Sequence, residues 1–216
     1  MSGEVQVEQA ARYGACAISD AMNVLGLEGA PGGLRWLSGG EHPFAGRAVT
    51  VQLGPADDTP SARHLCTAAV AAAGPANVVV VAHPGNACAG WGGLLSLAAK
   101  IRGVKGVVVD GPARDVEEAR ELGFPIFARE PTPVTARGRI REVSWGEPVL
   151  VDGVTVTPGD LVVADANGVV IVPAARVEEV LATAAGIVAR EAAMAADVRA
   201  GERITEVMGR SYEAMR

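Results

Sequence analysis

Two neighbouring residues, Arg114 and Asp115, carry the strongest chemical signal in this chain. They close the stretch Val107-Val-Val-Asp-Gly-Pro-Ala-Arg-Asp115, where a short β-branched run gives way to a Gly-Pro turn. A run of this kind predicts a buried strand, and ligand sites in open α/β sheets lie beyond the carboxyl ends of such strands. A guanidinium there offers a planar fork that grips a carboxylate through two bonds. An aspartate supplies hard oxygen suited to Mg²⁺ or Mn²⁺, directly or through water. The pair has an ordinary explanation too: an acid at a helix start and an arginine in a surface ion pair.

A second stretch, Trp91-Gly-Gly-Leu-Leu95, suits an anion. A helix starting at Gly93 has unpaired first-turn amides at the positive end of its dipole. Gly92 and Gly93 carry no Cβ, so a carboxylate can approach that backbone closely. Nucleotide readings fail here. Gly85 and Gly90 have phosphate-loop spacing, but Trp91-Gly92 stands where Lys-Ser/Thr is required, and a dinucleotide fingerprint lacks its third glycine. His42, His64 and His83 show no metal-ligand spacing. His64 is expected inside a helix, and His83, at a strand end, is the one placed to line a site. No Gly-x-Ser-x-Gly elbow is present, which disfavours a serine hydrolase. A Schiff-base mechanism needs a desolvated lysine, and Lys100 and Lys105, in a helix end and a Gly-rich turn, are poor candidates.

The elements that must position these residues follow from periodicity and punctuation. Two short helices, Val5–Arg12 and Ser19–Leu25, are broken at Gly14 and ended by Gly26. Gly29–Gly40 reads as a loop and Arg47–Leu53 as a strand. A helix is expected from Thr59 as N-cap, with Pro60 at its first position and Gly74 past its end. Strand Val78–Ala82, helix Gly93–Arg102, strand Val107–Val109, helix Arg114–Leu122 and strand Pro125–Ala128 then alternate, which predicts an α/β core with parallel pairing. Val149–Val151 and Val154–Val156 flank Asp152-Gly153, a hairpin signal. Leu161–Ala164 and Val169–Val172 flank Asn167-Gly168 in the same manner, and a long helix runs from Val177 to about Ala200. No linker or repeat divides residues 1–216, so one domain is the simplest organisation.

Composition narrows the function classes. Hydrophobic residues make up 49% and charged residues 20%, sufficient for a sizeable core, while aromatics are only 4%. With a formal charge of −6, the chain has neither the stacking side chains nor the basic surface of a nucleic-acid binder. Cys16, Cys66 and Cys88 are far apart, as in reduced cytosolic proteins. The polar start is unlike a signal peptide and no apolar run is long enough for a membrane span, so a cytoplasmic location is expected.

Taken in order, five segments resemble the family of 4-hydroxy-4-methyl-2-oxoglutarate/4-carboxy-4-hydroxy-2-oxoadipate aldolases and RraA regulators of ribonuclease E. They are Ile18-Ser-Asp-Ala-Met22, Trp91–Leu95, Gly103–Asp115, Gly123-Phe-Pro-Ile-Phe-Ala-Arg129 and Pro158–Pro173, which together cover most of Ile18 to Pro173. The resemblance implies a compact α/β/α sandwich with a mixed sheet and a long C-terminal helix, assembled as a homotrimer or hexamer with sites near subunit boundaries. It implies a divalent-metal-dependent lyase releasing pyruvate from small oxo-acids, with oxaloacetate decarboxylation as a related activity. Arg114 would contact the pyruvyl group, Asp115 would organise Mg²⁺ or Mn²⁺, and the Gly92–Leu95 turn, through Gly93, Leu94 and Leu95, would offer amides to the substrate. Glu191 is the candidate acid from a neighbouring subunit. Family members often have an acidic residue where this chain has Gly93; Asp110 and Glu191 are the substitutes considered. Pro75-Ala-Asn77 also replaces the family's Pro-Gly-Asp. The alternatives are a non-catalytic regulator acting on a ribonuclease by protein contact, or a lyase or isomerase for another oxo-acid.

Overall fold

Alternating apolar side chains that are buried on both faces need two covering layers, and the central strands of this chain have them. The computed structural model describes residues 2–39, 43–57 and 63–211. In chain order the elements are α1 (Gly3–Val24), β1 (Arg35–Ser38), β2 (Phe44–Pro55), α2 (Thr67–Ala72), β3 (Asn77–Ala82), α3 (Gly93–Ile101), β4 (Val107–Ala113) and α4 (Val116–Glu121). There follow β5 (Ile126–Pro131), β6 (Ile140–Trp145), β7 (Val149–Val151), β8 (Val154–Val156), β9 (Leu161–Asp165), β10 (Gly168–Val172), α5 (Val177–Arg199) and α6 (Ile204–Ser211).

The main sheet has the order β1-β5-β4-β3-β2-β9-β10, with β6 added to β2. β2 to β5 pair in parallel, while β1, β6, β9 and β10 pair antiparallel, so the sheet is mixed. β2 is long enough to take β9 along its first residues and β6 along its last, and this lets the sheet curl towards closure. Inside the curl, Val78, Val80, Val108, Phe127, Val162 and Ile171 pack together, and the β7–β8 hairpin closes over them. Outside it, Val79, Val81, Val107, Val109 and Ile126 meet the layer of α2, α3 and α4. Leu161, Val163, Val170 and Val172 meet α1 and α5 through Ile18, Leu181, Ala184 and Ile187. The result is the compact α/β sandwich with a mixed sheet and long C-terminal helix expected from the resemblance, and its sheet is nearly closed.

Several local expectations change. The two N-terminal helices do break at Gly14, as expected, but they are longer and together run from Gly3 to Val24; the φ of 78° and ψ of 171° at the break are adopted readily only by glycine. The break frees the Ala15 amide, which donates to Asp165 Oδ2 at 2.8 Å and ties α1 to the end of β9. The loop expected over Gly29–Gly40 contains β1, held at the sheet edge by pairing with β5. Thr59 and Pro60 lie outside the described residues; the helix expected from them begins at Thr67, and His64 precedes it. β6 and α6 were not anticipated, because neither has the clean alternation or the capping residues that mark an element. Among the described residues, no helix is long and apolar enough to cross a membrane.

Candidate active site

β4 does not end at Asp110. It bulges between Val109 and Pro112 and continues to Ala113, pairing with β5. The Trp91 segment lies alongside this extension: Trp91 bridges Ala113, Gly90 donates to Pro112 O at 2.9 Å, and Arg114 donates to Trp91 O at 3.0 Å. Arg114 and Asp115 therefore precede α4 rather than open it. Asp115 is its N-cap residue in the left-handed region, with φ 57° and ψ 38°, a conformation aspartate tolerates better than most residues.

That conformation sends the Asp115 side chain across to α3. Its Oδ2 accepts the Gly93 amide at 2.9 Å, and Oδ1 accepts Arg114 Nε at 3.1 Å. Gly92, the N-cap position of α3, has no side chain to cap with, so Asp115 supplies that bond from another element. Trp91 fixes the turn from beneath: it is buried, stacks on Phe124 with centroids 6.2 Å apart, and donates from Nε1 to Ser96 Oγ at 2.9 Å. Close approach requires the glycines. A Cβ on Gly92 would stand 2.9 Å from Asp115 Oδ2 and 3.1 Å from Arg114 Cγ.

A cavity of about 720 Å³ opens over this turn. Gly92, Gly93, Leu94, Leu95, Arg114 and Asp115 all line it, so one pocket collects the residues singled out from the two separate sequence motifs. One detail differs from expectation: the Gly93 amide is already bound by Asp115, which leaves Leu94 and Leu95 as the first-turn amides open to a ligand. Only Arg114 Nε is engaged by Asp115, so the terminal nitrogens of the fork keep their donors for a ligand.

Other assignments separate from the pocket. Asp110 points to the opposite side, where Oδ1 accepts Arg129 Nε at 2.7 Å and Oδ2 accepts the Asp152 amide at 2.9 Å. It braces the β7–β8 hairpin and does not replace an acid at position 93. Glu191 lies on α5, where its charge, with those of Asp165 and Asp20, helps burial raise the Cys16 thiol pKa. Within one chain it is absent from the pocket lining. His83 is half-buried against Gly90 and Gly111 and accepts the Gly85 amide at 3.1 Å; burial lowers its pKa despite the opposing effects of a hydrogen bond with the Cys88 backbone and of Asp110. It lines neither wall of the pocket.

Two further residues line the cavity, and a third borders it. His64, which precedes α2 instead of lying within a helix, and Arg137, in a loop that carries no motif, both line it. Glu118, on α4 three residues after Asp115, is not among the lining residues but borders the glycine turn. Its carboxylate covers Gly93: a Cβ there would overlap Glu118 Oε2 and lie 3.2 Å from its Cδ.

Donor chemistry bears on a metal. Asp115 offers hard oxygen with a lone pair beyond each bond it already accepts. Among the described residues no three acidic, histidine or cysteine side chains cluster as a closed cage. Mg²⁺ fits such a sparse set, because it is held by one or two carboxylates and keeps several waters.

The family described as RraA-like, Aldolase/RraA, matches residues 15–171. Protein DlpA of Legionella pneumophila is 31% identical over 176 residues, 81% of this chain but only 28% of that protein. A proposed 4-hydroxy-4-methyl-2-oxoglutarate aldolase of Halalkalibacterium halodurans is 33% identical over 196 residues, 88% of this chain and 89% of that one. A crystal structure of Streptomyces coelicolor RraAS2, described as an unusual member of the RNase ES inhibitor RraA protein family, matches with TM-score 0.75 and 32% identity. It covers 85% of this chain and 91% of that one.

Proposed function

The chain belongs to the RraA-like aldolase/RraA family, and we propose that it is a divalent-metal-dependent lyase releasing pyruvate from 4-hydroxy-2-oxo acids. The observation that carries this reading is the convergence of the Arg114 fork, the Asp115 carboxylate and the α3 first turn on one cavity. In this reading the Leu94 and Leu95 amides hold the substrate's 1-carboxylate, and Arg114 lies against the keto oxygen, where negative charge develops as the enolate forms. Asp115 is the residue that would hold Mg²⁺ or Mn²⁺, which would supply Lewis-acid chemistry when bound. Asp115 also fixes both neighbours, so the arginine and the amides meet the substrate in a set geometry. Decarboxylation of oxaloacetate passes through the same enolate and is the expected second activity.

A second copy would complete the assembly. Leu94, Leu97 and Ile101 form an exposed apolar stripe along α3 beside the pocket, suited to burial in a homotrimer or hexamer. Glu191 of a neighbouring copy is the proposed further acid at that boundary.

The test is direct. Purified protein is incubated with Mg²⁺ or Mn²⁺ and either oxaloacetate or 4-hydroxy-4-methyl-2-oxoglutarate, and pyruvate is followed. Metal-dependent release is expected, with Arg114→Ala lowering it by at least about 100-fold. Absence of metal-dependent pyruvate with both substrates sinks the lyase reading. The likeness to the Streptomyces inhibitor-family structure supports a second reading, a regulator of a ribonuclease. Ribonuclease inhibition that survives Arg114→Ala, without lyase activity, would select it.

A further inference from the structure

We propose that His83 is a positioning residue of this site, a wedge that sets how the α3 turn and the β4 extension lie against each other. The inference rests on the lyase reading above and concerns what holds the two halves of that site in register. One half, the Leu94 and Leu95 amides, belongs to the segment that follows Gly90. The other, Arg114 and Asp115, belongs to the segment that follows Gly111.

The two segments meet where the sheet changes partners. β3 pairs with β4 as far as Val81 and Val109, after which β4 bulges. Beyond the bulge Trp91 takes the place of β3, bridging Ala113. His83, two residues past Val81, stands at that exchange, and its ring touches the root of each segment. A Cβ on Gly111 would overlap His83 Cγ and lie 2.6 Å from Nδ1, and one on Gly90 would lie 2.9 Å from Cδ2. Glycine at both positions lets the ring fill the space between them, while the Gly90 amide, donating to Pro112 O at 2.9 Å, ties the same two roots together. The reacting groups lie only a few residues beyond these contacts, so a shift at the ring is carried into both halves of the site.

The wedge works in its neutral form. Nδ1 accepts the Gly85 amide at 3.1 Å, so the ring's one proton is on Nε2, an atom buried from solvent. A second proton would go to Nδ1. It would set two donors against each other and place a charge in a half-buried gap bordered by Leu53 and Val109. Burial holds the pKa below the ordinary histidine range, against the Cys88 backbone and Asp110. Asp110, on β4, is the charged group that acts on the ring, and it is already committed to Arg129 and the Asp152 amide. Protonation therefore turns the ring away from Gly85 and loosens both roots, which links the geometry of the site to pH on the acid side of about 6.5.

Kinetics separate positioning from mere support of the fold. Pyruvate release from oxaloacetate and from 4-hydroxy-4-methyl-2-oxoglutarate is measured with Mg²⁺ from about pH 5 to about pH 8, the range in which a histidine titrates. For His83→Ala, kcat at neutral pH is expected to fall by about 10- to 100-fold with KM nearly unchanged. The substrate carboxylate still meets the amides of one segment, whereas the reaction needs both segments aligned. His83→Asn offers an uncharged acceptor at the same δ position. It is expected to recover part of the lost kcat and to lack the acid-side fall in kcat that wild type shows. Nitrogen NMR of histidine-labelled protein, with no substrate present, is expected to show a resonance set that His83→Asn removes, in the Nε2–H form and titrating below the ordinary range. A His83→Ala enzyme with unchanged kcat overturns the proposal, even if it melts earlier. So does an acid-side fall shared by His83→Asn, or a His83 ring in the Nδ1–H form. Wild-type protein inactive on both substrates fails the lyase reading itself, and the role of His83 falls with it.

Discussion

Replacing Asp115 separates its structural work from its chemistry, and the structure sets the size of the first. Asp115→Ala removes the acceptor for the Gly93 amide, a cap supplied by a charged group, worth about 1–2 kcal/mol. It also breaks the contact with Arg114 Nε, but with side chains 39% and 29% exposed that pair is worth no more than about 0.5 kcal/mol. Alanine inherits the left-handed backbone at φ 57° without aspartate's tolerance for it. The total is about 2 kcal/mol, and in a chain of this size each kcal/mol moves Tm by about 2–4 °C, so a fall of about 4–8 °C is expected. Asp115→Asn keeps an oxygen acceptor and the backbone preference and loses no more than about 1 kcal/mol. Asp115→Gly loses the cap but relieves the left-handed residue by about 1 kcal/mol, so it falls between the two. Calorimetry in the presence of a chelator reads these differences free of any metal. Adding Mg²⁺ afterwards is expected to raise the wild-type Tm and leave Asp115→Ala unmoved. An Asp115→Ala protein melting within about 1 °C of wild type would refute the capping argument, and alanine more stable than glycine would refute the backbone part.

Three further outcomes follow from the same structure. Gly14→Ala places a Cβ 3.1 Å from Asp165 Oδ2 at a φ only glycine adopts freely, so urea unfolding should show a loss of about 1–3 kcal/mol; an unchanged midpoint contradicts it. The Arg129 hydrogen bond, aided by the Gly32 amide, lowers the Asp152 pKa. The group therefore stabilises the fold above the ordinary carboxylate range and loses that effect as pH falls through and below about 4. The Tm gap between wild type and Asp152→Asn should accordingly narrow on acidification, and a gap that widens reverses the sign. Burial pushes the Cys66 and Cys88 thiols up, and Cys16 is raised too although exposed. A colorimetric thiol reagent at neutral pH should then titrate one cysteine per native chain, slowly and faster with rising pH, with all three reacting in denaturant.

How much of the architecture the sequence disclosed depended on the kind of signal each segment carries. Val78–Ala82 and Val107–Val109 announced themselves because strands buried on both faces must be continuously apolar. The Asp152-Gly153 hairpin was legible because its turn demands two residues of positive φ, and both have it. β1, by contrast, sits at a sheet edge with β5 as its one strand neighbour, and its other supports, Arg120 to Leu37 O and Ser38 Oγ to Phe124 O, come from distant sequence, so its Arg-Trp-Leu-Ser pattern looks like loop. The β4 extension hid behind Gly111–Pro112, which reads as a turn in isolation. Gly111 instead allows His83 to pack against the strand, and the bulge absorbs the proline.

The site divides along the same line. Arg114, Asp115 and the Gly92–Leu95 turn were visible because each answers a local demand: a strand end, a helix start, a backbone that must admit an anion. What links them was not visible, since Asp115 capping α3 across 22 positions of sequence depends on where the two segments lie side by side. The same holds for position 93. Read locally, glycine there is a missing acid; in the fold, a glutamate from the next helix fills the gap that glycine leaves. Two elements border that volume, so what occupies it is set by how the starts of α3 and α4 lie together and by neither segment alone.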